Sequence, residues 1–102
     1  MRIITRRRLN EYAKLHPNAA VSLSAWHEVA KKGAWGSLPK IRQTFPHADP
    51  ATVASGKTVI IFNIAGNHHR LITAIHYDTG KVFILEILTY AEYSKNRWKK
   101  SL

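Results

Sequence analysis

The sequence predicts an α+β fold: an antiparallel β-sheet meander with an N-terminal helical hairpin and a C-terminal helix, in the order β-α-α-β-β-β-α. Two observations carry this reading. Apolar residues recur at helical spacing through the first third, and β-branched apolar runs separated by turn residues fill the second half. Helices grouped before strands point to α+β rather than to alternating βαβ units. With 102 residues and a hydrophobic share of 45%, the chain has the size and composition of one domain, 1–102, with one modest core.

The elements follow in order. Ile3-Ile4-Thr5 reads as a short strand, with Met1 and Arg2 leading in. Thr5 is placed to cap a helix over 6–15, with Leu9, Tyr12, Ala13 and Leu15 near one face. Pro17 restarts the chain for a second helix over 17–32, where Ala20, Leu23, Ala25, Trp26, Val29 and Ala30 form a stripe and Gly33 follows as a stop. Residues 34–57 are punctuated by Gly36, Pro39, Pro46, Pro50 and Gly56 and read as irregular, apart from a short helix opening at Ser37-Leu38-Pro39 and reaching Thr44. Thr58 to Ile64 is apolar on both faces and predicts a central strand. Gly66-Asn67 marks a turn, Arg70 to Tyr77 the next strand, Asp78-Thr79-Gly80 a tight hairpin, and Val82 to Leu88 the last strand. Thr89-Tyr90-Ala91-Glu92 has the capping-box form, opening a terminal helix to Lys99. Trp26 and Trp35 are expected in the core. Trp98, among Lys95, Arg97, Lys99 and Lys100, either covers the sheet or meets a base or partner.

Charge is the outlying property. Sixteen Lys and Arg against six Asp and Glu give a net charge of +10. Such self-repulsion opposes compaction, and a polyanionic partner, RNA above all, is its natural reason. The basic Arg6-Arg7-Arg8 run has no apolar stretch after it, so no secretory signal is expected. No apolar run approaches the ~18 residues that span a bilayer. No membrane partner is expected, and the cytoplasm is the expected location. The absence of cysteine excludes disulfides.

Several chemistries are poorly matched. Ser55-Gly56-Lys57-Thr58 resembles the tail of a phosphate-binding loop, but it lacks the first glycine and runs into a strand rather than a helix. His27-Glu28 lacks the second histidine of a metalloprotease helix. His68 and His69 are adjacent, so on a strand they face opposite sides. No metal and no cofactor are expected. Nucleophile-elbow spacing is absent, and carboxylates are too scarce to favour a paired-acid glycosidase.

The informative cluster is Asn67 to Arg70 with Thr89 to Arg97. A two-residue hairpin at the 78–81 turn sets Arg70 opposite Thr89, a register that a bulge would shift by one. Arg70, Tyr90 and Tyr93 then converge at one end of the sheet, with Arg97 one turn beyond Tyr93. Metal-free RNA cleavage needs such groups: a base for the 2′-hydroxyl, cations for the crowded phosphate and an acid for the 5′-oxygen. Arginine presents bidentate donors to phosphate, and tyrosine stacks on a base or handles a proton if cations lower its pKa. The same residues serve equally well as structure, with Arg70 in an ion pair and the tyrosines half-buried.

Motifs along nearly the whole chain resemble the HigB family of type II toxin–antitoxin toxins, in the RelE/ParE-like superfamily. They are Ile3-Ile4, His16-Pro17, Trp26, Arg42-Gln43-Thr44-Phe45-Pro46, Phe62-Asn63-Ile64-Ala65-Gly66-Asn67, His69-Arg70-Leu71-Ile72, and Thr89 with Glu92-Tyr93. The resemblance implies a RelE-like fold and a metal-independent mRNA interferase acting on messenger RNA at the ribosome. It also implies a HigA-type helix-turn-helix antitoxin, with operator DNA bound only through the antitoxin complex. Arg70 matches the family's arginine after Gly-Asn, and Tyr93 the tyrosine of its T-H-x-E-Y segment. Tyr90 stands where that segment has histidine, and Ala65-Gly66 replaces its glycine pair.

On this reading Arg70, Tyr93 and Tyr90 are the catalytic candidates, and Lys57, His68, His69, Lys95 and Arg97 the RNA-binding ones. Two other functions fit the charge: a non-catalytic RNA- or ribosome-binding module, and a toxin directed at a protein such as gyrase.

Overall fold

The computed structural model describes all residues from Met1 to Leu102. The fold is α+β, and its sheet is mixed. The elements are β1 (Arg2–Ile4), α1 (Arg6–Leu15), α2 (Pro17–Lys32), α3 (Leu38–Thr44), β2 (Asp49–Thr52), β3 (Thr58–Ile64), β4 (His69–His76), β5 (Lys81–Thr89), α4 (Tyr90–Ser94) and α5 (Arg97–Ser101). The strands lie in the order β1-β5-β4-β3-β2. β2 to β5 form the antiparallel meander, and β1 adds to β5 in parallel.

Four features depart from the expected order. β2 lies within the stretch read as irregular. It is an edge strand, and Pro50 is tolerated there because one side of an edge needs no donor. Thr5 precedes α1 but makes no side-chain cap. Its backbone takes the left-handed conformation (φ 71°) to turn β1 into the helix. The terminal helix is two short helices, broken where Asn96 adopts φ 60°. Finally, Arg70 pairs with Leu88 and His69 with Thr89, because Tyr77–Gly80 is a four-residue turn and a bulge at Ile72/Thr73 shifts the register.

Helices cover both faces of the sheet. On the first face, α1, α2 and α3 pack Leu9, Leu23, Trp26, Ala30 and Ile41 onto Phe62, Leu71 and Val82. Phe62 is ringed by Trp26, Trp35 and Phe45 at centroid distances of 5.3, 6.1 and 5.3 Å. Leu15, expected in the apolar stripe, is exposed. Gly33 ends α2 without a left-handed turn. Its missing side chain makes room for the Trp35 indole, which a Cβ would approach to 3.0 Å.

On the second face Trp98 of α5 closes a smaller core with Val53, Val59, Ile61 and Ile72. A bond from the Ala54 N–H to the Lys99 carbonyl (2.8 Å) ties the end of α5 to the loop before β3. The core alternative for Trp98 is therefore the one realised. No helix is long and apolar enough to cross a membrane.

Candidate active site

Arg70 occupies the second position of β4, on the face opposite the helical hairpin. Its Nη1 donates to the carbonyls of Asn67 (3.1 Å) and His69 (3.0 Å). Nε and Nη2 make no bond to protein. The residue is 9% exposed, yet no carboxylate neutralises it. The chain's salt bridges are Arg7–Glu11, Arg42–Asp49 and Lys95–Glu92. The ion-pair role open to Arg70 in the sequence is thus not used.

Two aromatic rings take the carboxylate's place. The guanidinium carbon lies 5.0 Å from the Tyr90 centroid and 5.4 Å from that of Tyr93, within range of the attraction between a cation and a π-face. The rings sit 6.4 Å apart. Tyr93 also stacks on Trp98 at 5.3 Å and 11°, and its carbonyl accepts the Trp98 Nε1–H at 3.0 Å. α4 is aimed at Arg70 by two bonds at its start. The Thr89 hydroxyl accepts the Glu92 N–H (3.3 Å), as the capping-box spacing predicts, and the Tyr90 N–H donates to the His68 carbonyl (2.9 Å).

Burial raises the pKa of the Tyr93 phenol, and the nearby Arg70 charge only partly opposes it. Tyr93 is therefore neutral at physiological pH and keeps a proton to donate, and the net lowering by cations named as a condition for its handling a proton is not realised. Tyr90 is 52% exposed and forms the outer wall of the cluster. His68 is exposed in the turn between β3 and β4.

The other predicted residues are dispersed. His69 lies on the opposite face, only 3% exposed, with its Nδ1 2.7 Å from the Tyr12 hydroxyl and its Nε2 3.1 Å from Asn18 Oδ1. Both ring nitrogens are occupied, so its side chain is not available to RNA at the Arg70 surface. Lys57 precedes β3, whereas Asn63 beside Arg70 is near the strand's other end, roughly 20 Å away at ~3.3 Å per residue. Lys95 pairs with Glu92 at 3.1 Å. Arg97 flanks a shallow hollow with Glu86 and Glu92 but bonds to neither.

The sequence reading missed the Tyr12–His16–Asn18 shell around His69. Tyr12 fits a helical stripe, and periodicity does not distinguish a packed phenol from one that holds an imidazole. No group of three or more His, Asp or Glu side chains is arranged to hold a metal ion.

Comparison with known proteins places this arrangement. Residues 19–96, well over half the chain and including Arg70, Tyr90 and Tyr93, match the family described as HigB toxin, RelE-like toxic component of a toxin-antitoxin system. The chain belongs to the HigB toxin family. A relative from Escherichia coli, named mRNA interferase HigB, is 28% identical over 95 residues, covering 93% of this chain and 90% of its own. An mRNA interferase HigB from Shigella flexneri is 27% identical over 93 residues, covering 91% and 88%. The HigB match thus includes both the sheet face with Arg70 and the helix with the two tyrosines. As a member of a toxin–antitoxin family, the chain has an antitoxin as its partner.

Proposed function

We propose that this toxin is an endoribonuclease that cuts messenger RNA on the ribosome without a metal ion, with Arg70 at its catalytic centre. The observation that carries the reading is the buried guanidinium of Arg70, held by two carbonyls and two aromatic rings with no carboxylate against it. A desolvated cation with no counter-ion and two uncommitted nitrogens is suited to an anionic guest. Family membership and the names of the relatives support RNA as that guest.

In this scheme the scissile phosphate meets Nε and Nη2 of Arg70, and Tyr90 stacks on a flanking base. A base removes the ribose 2′-hydroxyl proton and the 2′-oxygen attacks phosphorus. The bond to the 5′-oxygen breaks, and that oxygen takes a proton, leaving a 2′,3′-cyclic phosphate and a 5′-hydroxyl. Tyr93, neutral and beside Arg70, is the acid. His68, the exposed imidazole whose carbonyl holds α4, is the base. Arg97 and Lys95 attract the backbone nearby, and Lys57 contacts it farther along. The antitoxin is of the HigA type with a helix-turn-helix domain, through which the pair reaches operator DNA. Action on the ribosome places the toxin in the cytoplasm.

Expression with and without the antitoxin tests this reading. Alone, the chain is expected to arrest growth and to leave cuts within translated messages that map by primer extension. Intact messages on ribosomes that retain the protein would establish a non-catalytic binder. DNA-damage signalling with intact messages would point to gyrase.

A further inference from the structure

We propose that Tyr12 and Asn18 are positioning residues for Arg70 and act through His69, from the far side of the sheet. The proposal rests on the reading of Arg70 as the phosphate-binding group. His69 and Arg70 are successive residues of β4, so their side chains leave opposite faces. The His69 ring enters the helical hairpin, between the Tyr12 hydroxyl of α1 at 2.7 Å and Asn18 Oδ1 of α2 at 3.1 Å. One tautomer satisfies both contacts. Nε2–H donates to Asn18, and Nδ1 accepts from Tyr12. His16 stacks on the Tyr12 ring at 4.1 Å and 24°, closing the outside of the pair.

The need for this anchor lies in the local chain. His69 is the first residue of β4, and a turn with two left-handed residues, Ala65 (φ 52°) and Gly66 (φ 66°), precedes it. His69 is paired in the ladder with Ile64 and Thr89, and its side-chain contacts add a hold from the helical face where the chain leaves that turn. Three bonds that shape the site start from this short segment. The carbonyls of Asn67 and His69 hold Arg70 Nη1, and the carbonyl of His68 holds the Tyr90 N–H. Clamping the His69 ring therefore sets where the guanidinium and the start of α4 sit. Tyr12 and Asn18 make no hydrogen bond to Arg70, Tyr90 or Tyr93, and the ring partners of Tyr12 are His16 and His69.

A double-mutant cycle tests the relay. Affinity is measured for a short RNA carrying 2′-deoxyribose at the cleavage position, so that binding is read without reaction. Tyr12→Phe, which removes only the hydroxyl, is expected to weaken binding about fivefold, the equivalent of one hydrogen bond. In an Arg70→Ala background the same change is expected to shift affinity by less than about twofold. Asn18→Leu should behave like Tyr12→Phe, and Asn18→Asp, which keeps an acceptor opposite Nε2, should retain the parent affinity. Equal weakening in both backgrounds, or none in either, overturns the relay while leaving the role of Arg70 standing. Parent-level affinity and cleavage in Arg70→Ala alone would instead remove the reading on which the relay rests.

Discussion

The guanidinium of Arg70 lies 5.0 Å from the centre of the Tyr90 ring, and the N–H of that same Tyr90 is bonded to the carbonyl of His68, two residues before Arg70. Strand β4 thus supplies the cation, and the turn that leads into it fixes the helix that covers it. Arg70, Tyr90 and Tyr93 form one unit, and disturbing the start of α4 should be felt at the arginine.

Thr89→Ala removes the hydroxyl that accepts the Glu92 N–H. The loss of an N-cap costs about 1 kcal/mol, which corresponds to a fall in Tm of roughly 4–8 °C for a domain of this size. Because α4 carries both tyrosines, RNA cleavage should fall as well. Calorimetry with a cleavage assay checks both effects, and Thr89→Ser should restore them together.

Tyr93 separates stacking from proton transfer. Tyr93→Phe keeps the ring on Trp98 and under Arg70 but removes the proton. It should leave RNA affinity within about twofold while lowering the cleavage rate by ~100-fold, the lower range for a general acid. Tyr93→Ala should lose both. A Tyr93→Phe enzyme cleaving at the parent rate would assign the proton elsewhere.

Stability should depend on pH at both ends of the range. Burial lowers the pKa of His27 and of His69 below the ordinary 6.5, and positive or titratable neighbours add to the effect: Arg6 at His27, His16 and His68 at His69. Below 6.5 the unfolded chain binds more protons than the folded one, so this stability is complete above 6.5 and declines as pH falls. At the alkaline end, burial pushes the Tyr12 phenol up from 10.0 to about 12, and Tyr77 and Tyr93 also shift upward. That contribution is present below pH 10.0 and is lost as pH rises through about 12. Urea unfolding at pH 5.5, 7.5 and 11 should give its largest midpoint at the middle value.

Legibility in the sequence tracked how local each determinant is. The stripe of Leu23, Trp26 and Ala30, the β-branched run of β3 and the Thr89–Glu92 capping box depend on neighbours in sequence, and each appears where its spacing places it. The meeting of Arg70 with Tyr90 and Tyr93 was legible because one hairpin and one helix start connect them. The remaining features depend on distant partners. β1 is parallel because it reaches β5 through the whole fold, and β2 exists only as an edge on β3. The four-residue turn at Tyr77–Gly80 moves the register two residues from that of a two-residue hairpin, and the bulge at Ile72/Thr73 restores one of them. His69 was separated from its strand neighbour because alternation along β4 turns it to the helical face, where Tyr12 and Asn18 hold it. Lys57 is close to the site in neither sequence nor space.

The most direct test of the account is cleavage of a ribosome-bound message by purified protein and by its Arg70→Ala variant, with the thermal midpoint of each measured alongside. The account predicts that Arg70→Ala stays folded and cuts about 100- to 1000-fold more slowly, the scale for removing a transition-state donor. Arg70→Lys should recover little, because an ammonium lacks the planar fork. A folded Arg70→Ala protein that cuts the message at the parent rate would contradict the account.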